Sequence, residues 1–286
     1  MAVSIQALMV PSGVPLAWVQ PGLLLAQRHA PALQLAPPRL PRSARGTQCS
    51  GLRRRGGARG LVGQEAGDPG SLPKRGTWGK QLAAMAISGA LLGPILDGYH
   101  SAFGVLRYTV PHDVFLGPLF VCQSDFWVPP MFALAAVILG AAYPYLDAKL
   151  GVEERWANPS VPAVLTSIGY FCGQYWLSGA LTSSGVEGAP LHAILAATAL
   201  VAWWVWDRTP AGAVMAVATG TLGPVLEIGL TTYFPLVSGF PLYTYLHPDG
   251  FGIPYWIAWV YACGAPANGN LARFFLRALE TPEERV

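Results

Sequence analysis

The chain has 286 residues, 52% of them hydrophobic and only 12% charged, with a net charge of +3. Soluble domains carry about 25% charged residues, so this composition excludes a water-covered globular domain and implies a polytopic membrane protein. Cys49, Cys122, Cys172 and Cys263 lie far apart without paired spacing, which supports neither a zinc site nor a disulfide framework.

Residues 1–64 hold eight arginines and no acidic residue, and the first carboxylate is Glu65. Arg-rich, acid-poor composition marks an organellar transit peptide. Seven prolines between Pro11 and Pro41 exclude a long helix there. The alternative is a cytosolic tail. A secretory signal fits poorly, because arginines follow the short apolar run Leu23–Ala26. This leader carries the net positive charge, which argues for membrane-surface or import chemistry and against nucleic acid. Residues 1–79 are therefore expected to be a disordered basic leader with its linker, 80–280 a membrane domain, and 281–286 a short polar tail.

From Gln81 onward, apolar blocks near the length of about 20 residues that a span needs alternate with polar breaks. They fall at 81–99, 126–146, 160–181, 189–206, 211–234 and 254–275. Trp and Tyr collect at their ends (Trp127, Tyr143, Trp203, Trp206, Tyr255), as aromatic belts do. Lys74, Arg75 and Lys80 precede the first block, and Lys149 and Arg155 follow the second. Arg208 follows the fourth, and Arg273, Arg277 and Arg285 lie in and after the last. The intervening loops hold Arg107 alone. That alternation predicts an even number of spans by the positive-inside rule, with both termini on the cytosolic, stromal or matrix side. The expected fold class is all-α, with six transmembrane helices. Residues 100–125, broken by Pro111, His112, Asp113 and Pro118, read as a short interfacial helix or a shallow re-entrant piece.

Ionisable groups within a bilayer are expensive and default to functional hypotheses. Glu227 lies mid-span among Gly223, Pro224 and Gly229. It is either a structural, neutral carboxyl bonded to a neighbouring helix or a ligand contact. Asp97, near the end of its span, reads as interfacial. Asp207 and Arg208 follow Trp203 and Trp204 and cannot share a helical face. They fix a helix end or offer a docking point. Gly264, Gly269 and Asn270 permit close helix packing or mark a broken helix lining a cavity. Tyr170 and Gln174, four residues apart, put polar edges on one face of the third span. The five histidines are scattered, and there is no zinc-protease, phosphate-loop or dinucleotide pattern. No enzyme, cofactor or metal is expected. A small transporter or proton-coupled carrier is the alternative, because a mid-span acid in a loosened helix is also a transporter feature.

Three segments resemble one family. Trp127-Val-Pro-Pro130, Gly140, Tyr143-Pro144, Asp147 and Leu150-Gly151 form the first block. Trp203-Trp204, Asp207-Arg208 and Gly212 form the second. Trp256, Gly264, Gly269-Asn270 and Arg273 form the third. Together they are similar to the insulin-induced gene (Insig) family of sterol-regulated membrane proteins. The resemblance implies a six-helix fold and a role in sterol or lipid homeostasis. Animal members bind oxysterol, hold a sterol-sensing escort protein in the endoplasmic reticulum and deliver a sterol-synthesis reductase for degradation. A bacterial relative binds diacylglycerol. The family's acidic docking residue falls on Asp207. The leader, the 183–188 loop, Pro190 and Glu227 depart from the family pattern.

The expectation is a membrane protein that binds a lipid, a sterol or a glycerolipid such as diacylglycerol, and regulates a polytopic membrane partner. Tyr170, Gln174, Trp203 and Glu227 are the candidate lipid contacts. Asp207, Arg208, Gly269 and Asn270 are the docking or structural candidates. The membrane is plastid or mitochondrial if the leader directs import, and endoplasmic reticulum otherwise.

Overall fold

A computed structural model describes residues 75–280, and expectations for 1–74 and 281–286 lie outside the described residues. The first helix, α1 (Arg75–Ala102), begins six residues before the expected apolar block. Helix α2 (Val128–Leu150) opens on the proline pair 129–130, whose missing N–H groups cost nothing in a first turn. It closes at Gly151 with φ 77°. After a single turn, α3 (Glu154–Ala157), helix α4 (Val161–Ser183) starts at Ser160, whose hydroxyl accepts from the Ala163 N–H. Helix α5 (Gly188–Trp206) is followed by α6 (Pro210–Ile228), which Thr209 caps by accepting from the Gly212 N–H. These hydroxyls satisfy donors that the first turn leaves unpaired. A π-helical turn (Gly229–Tyr233) and α7 (Phe234–Ser238) prolong α6, and α8 (Ile257–Leu279) closes the described chain.

The six apolar blocks thus correspond to α1, α2, α4, α5, α6 with its extension, and α8. Four of these stretches, Gly76–Ala102, Val128–Leu150, Gly188–Trp206 and Pro210–Ser238, are long and apolar enough to cross a membrane. Helices α4 and α8 are 23 residues each, and their polar groups Gln174, Ser178, Asn270 and Arg273 are buried between helices. Large apolar side chains face outward instead, with Leu91 at 68% exposure and Val217 at 71%. A fold that turns its leucines out and its amides in is built for a hydrocarbon solvent.

Helix α8 is the hub and touches α1, α2, α4, α5 and α6. Its small residues Cys263, Gly264, Ala265, Ala267 and Gly269 are all buried, which lets neighbouring backbones approach closely.

Residues 106–124 correct the expectation of an interfacial helix there and add small two-stranded sheets to a mostly helical chain. They form β1 (Leu106–Tyr108) and a hairpin of β2 (His112–Leu116) with β3 (Leu119–Ser124). Strand β1 pairs antiparallel with β4 (Tyr243–Tyr245), matching Leu106 to Tyr245 and Tyr108 to Tyr243. Leu106 and Tyr108 point inward and Arg107 outward, the period-2 pattern of a half-buried strand. The partner strand lies well over a hundred residues downstream, so no local signal announces the pairing. Tyr108, Tyr243 and Tyr245 join Leu96, Tyr175 and Trp256 in one core that seats this sheet on the helix ends.

Candidate functional site

Two buried constructions stand out; along α6 the first, at Thr209, lies roughly 15 Å from Thr219 of the second at 1.5 Å per residue.

At the first, α2 ends, α5 turns into α6 and α8 approaches its C-terminus. Arg273 donates from Nε and Nη2 to the two oxygens of Asp147, at 2.8 and 2.9 Å. Its Nη1 donates to Asp207 Oδ1 at 2.7 Å. The same Asp207 oxygen accepts from the Thr209 hydroxyl at 2.9 Å. The Tyr143 hydroxyl lies 3.0 Å from Asp207 Oδ2 and 2.6 Å from the Ala265 carbonyl, and its single proton serves one of them at a time. All three charged side chains are buried: Arg273 3%, Asp147 8% and Asp207 0% exposed. Burial pushes the Asp207 carboxyl above its ordinary value, while Arg273, Thr209 and Tyr143 pull it down. Forked, charge-assisted bonds of this kind fix orientation as well as distance.

Two glycines make the arrangement possible. A Cβ on Gly212 would sit 2.2 Å from Asp207 Oδ2, and one on Gly269 would sit 2.5 Å from the Tyr143 ring. Asn270 donates to the Trp206 carbonyl at 3.0 Å, which ties α8 to the end of α5. The neighbours Asp207 and Arg208 diverge completely. Arg208 is exposed and lays its guanidinium 3.7 Å from the Trp204 ring centroid.

The second construction is a cavity of about 120 Å³ between α1, α2, α4, α6 and α8. Leu92, Phe132, Leu139 and Phe171 are among its apolar walls. Among its polar neighbours, Asn268 donates one of its two amide hydrogens to the Gly264 carbonyl at 2.9 Å and Thr219 its hydroxyl to the Tyr261 carbonyl at 3.0 Å. Tyr261 also lines the cavity, and its hydroxyl donates to Glu227 Oε1 at 2.5 Å. The other Glu227 oxygen accepts from Tyr243 on β4. Tyr108 on β1 donates to Asp97 at 2.8 Å. Burial, and Asp97 beside it, push the Tyr108 phenol well above its ordinary value, so it remains a donor.

Of the candidate lipid contacts, none is in the cavity wall. Tyr170 and Gln174 both turn to α5, bonding the Thr198 and Leu195 carbonyls at 3.0 and 3.1 Å. Trp203 bonds the Thr209 carbonyl at 3.2 Å. Glu227 stands one residue behind the wall, reached through Tyr261. Spacing along the sequence identified the polar faces of α4 correctly but could not say which neighbour those faces meet. Sequence reasoning also left Tyr143, Asp147 and Arg273 outside the candidate site. The available signal was their ionisable or polar character inside apolar blocks.

Comparisons with known proteins bear on the whole described region. The sequence profile of the family described as insulin-induced protein (INSIG) matches residues 80–275. The insulin-induced gene 1 protein of Mus musculus is 27% identical over 227 residues, covering 78% of this chain and 81% of its own. That of Homo sapiens is 27% identical over 223 residues, covering 76% and 73%. The crystal structure of an Insig homologue from Mycobacterium vanbaalenii superposes with a TM-score of 0.52 at 20% identity, covering 73% of this chain and 98% of that one. A cross-linked trimer of the same homologue gives a TM-score of 0.52 at 21% identity, with the same coverage.

Proposed function

The chain belongs to the insulin-induced protein (INSIG) family, and from that premise we propose that it binds a membrane lipid in the cavity beside Tyr261 and so regulates a membrane partner. Family membership supports an integral membrane regulator in sterol homeostasis in general. The finer reading is that six helices, α1, α2, α4, α5, α6 and α8, span the bilayer with both ends on one side. The lipid is a sterol or a glycerolipid.

The observation that carries this reading is an apolar cavity enclosed by five of those helices, with Tyr261 as a polar edge. Apolar walls with a few placed polar groups are the usual make-up of a small-molecule site. Glu227 enters through Tyr261 and not by direct contact. Arg273, Asp147 and Asp207 hold the opposite end in one arrangement, and the exposed Trp204–Arg208 stack beside it offers a surface for a partner. A ligand that prefers one helix arrangement shifts the population of that arrangement and changes docking.

Lipid extracted from the purified full chain and identified by mass spectrometry tests this directly. An approximately stoichiometric sterol or diacylglycerol is expected, lost in an Ala135→Phe variant whose ring blocks the exposed mouth of the cavity. Absence of any specific lipid, or its retention in Ala135→Phe, would overturn the assignment of the cavity.

A further inference from the structure

The Glu227 end of the bundle contains a connection that neither lipid contact nor the Arg273 cluster uses. Tyr261 belongs to the cavity wall and to a hydrogen bond with Glu227. Glu227 also accepts from Tyr243 on β4, which pairs with Tyr108 on β1, which in turn donates to Asp97 on α1. The chain of contacts therefore runs from the cavity, through three tyrosine–carboxyl links and a two-stranded sheet, back to the helix that carries the cavity residue Leu96.

We propose that these links form a clasp coupling the filling of the cavity to the position of the β1–β4 sheet, so that the surface at this end differs between empty and lipid-filled protein. The proposal rests on the lipid-binding reading above and adds how that site reports its occupancy.

Size supplies the first argument. Ligand pockets run from about 300 to 1,000 Å³, whereas this cavity has about 120 Å³, so a lipid body that enters fully displaces wall residues. Leucine and phenylalanine walls repack without losing a polar partner. Tyr261 cannot, because moving its hydroxyl either carries Glu227 along or leaves that carboxyl with one donor fewer.

The sheet is the second. Each strand has three residues, and an isolated two-stranded pair is marginal by itself. Its order is thus set by what anchors its side chains: the core that buries Leu106, Tyr108, Tyr243 and Tyr245, and the bonds to Asp97 and Glu227.

The third lies just past Glu227. The π turn Gly229–Tyr233 is a winding found mostly as single bulges at functional sites. Its Thr232 hydroxyl donates to the Phe251 carbonyl in the loop after β4 at 2.7 Å, and its Thr231 hydroxyl lies 2.8 Å from the Glu227 carbonyl and 3.3 Å from that of Phe251, serving one at a time. A shift of Glu227 therefore reaches the sheet and the loop together.

Hydrogen–deuterium exchange of the full chain in phosphatidylcholine nanodiscs tests the clasp. The amides to follow are Thr109 and Leu246, which bond the Leu242 and Val105 carbonyls at the two ends of the sheet. Tyr261→Phe keeps the ring and removes the hydroxyl, and should raise exchange at both amides about tenfold, the effect of losing one strong buried hydrogen bond. Tyr170→Phe, which loses a bond to Thr198 on α5, should leave them unchanged. Tyr108→Phe opens the link to Asp97 and should raise the same amides, which keeps the clasp testable should Tyr261→Phe fail to fold. Unchanged exchange in the folded Tyr261 or Tyr108 variant overturns the clasp whatever any lipid does. Dioctanoylglycerol and cholesterol, added separately to the unaltered protein, then test the coupling. Binding that changes exchange at Thr109 and Leu246 supports it. Binding without such a change overturns the coupling and leaves the lipid reading standing. If neither probe binds, the lipid reading and the coupling fall together, while the Tyr261→Phe comparison still decides whether the clasp exists.

Discussion

Replacing Arg273 by methionine removes the only cation between Asp147 and Asp207 among the described residues and keeps most of the side-chain volume. Three of its nitrogens hold three carboxylate oxygens at 2.7 to 2.9 Å, and all the groups are buried. Breaking a buried pair by deleting one partner costs about 3–5 kcal/mol, because the charges left behind are uncompensated. With each kcal/mol worth about 2–4 °C in a domain of this size, the thermal midpoint should fall by roughly 6–20 °C. The assay is thermal unfolding in detergent, followed by the fluorescence of the tryptophans. A control separates charge from shape. The triple variant Arg273→Met, Asp147→Asn, Asp207→Asn should recover part of the loss, since it leaves no uncompensated buried charge although its amides lack the guanidinium partner. A midpoint within about 2 °C of the unaltered protein for Arg273→Met alone would refute the reasoning. So would a triple variant less stable than the single one.

Gly269→Ala places a methyl group 2.5 Å from the Tyr143 ring and should cost about 1–3 kcal/mol by overpacking, seen as a lowered unfolding midpoint. Arg208→Ala breaks only an exposed stack on Trp204, so the unfolding midpoint should stay within about 2 °C, such contacts being worth about 0.5–1 kcal/mol. A clear loss of partner capture in that stable variant would assign Arg208 to docking. A fluorescent fusion lacking residues 2–75 should lose the plastid or mitochondrial location of the full chain if the basic leader is an import signal. Identical endoplasmic-reticulum location of both would reduce the leader to a tail.

The membrane class and the six helical blocks were legible because hydropathy is local. A run of about 20 apolar residues declares itself without reference to its neighbours. Even the polar face of α4 was legible, since Tyr170 and Gln174 are one turn apart. The direction of that face was not, because it meets the Leu195 and Thr198 carbonyls of α5 and not the cavity. The strand pairing of Tyr108 with Tyr243 escaped for the same reason: three-residue strands carry almost no periodic signal, and their partners are remote. Asp207 was singled out for its place beside Arg208, whereas its true counter-ion is Arg273, sixty-six residues away.

The sequence by itself determined the solvent of this protein, the number of its long helices and its family. The tertiary structure alone decided which polar groups meet. It split Asp207 from Arg208, set Glu227 behind Tyr261 and seated a sheet on the helix ends. The physical reason is that transfer to a membrane sums over neighbouring residues, whereas a buried hydrogen bond must find its partner in three dimensions. In a chain this poor in charge, those few partners decide how the helices fit.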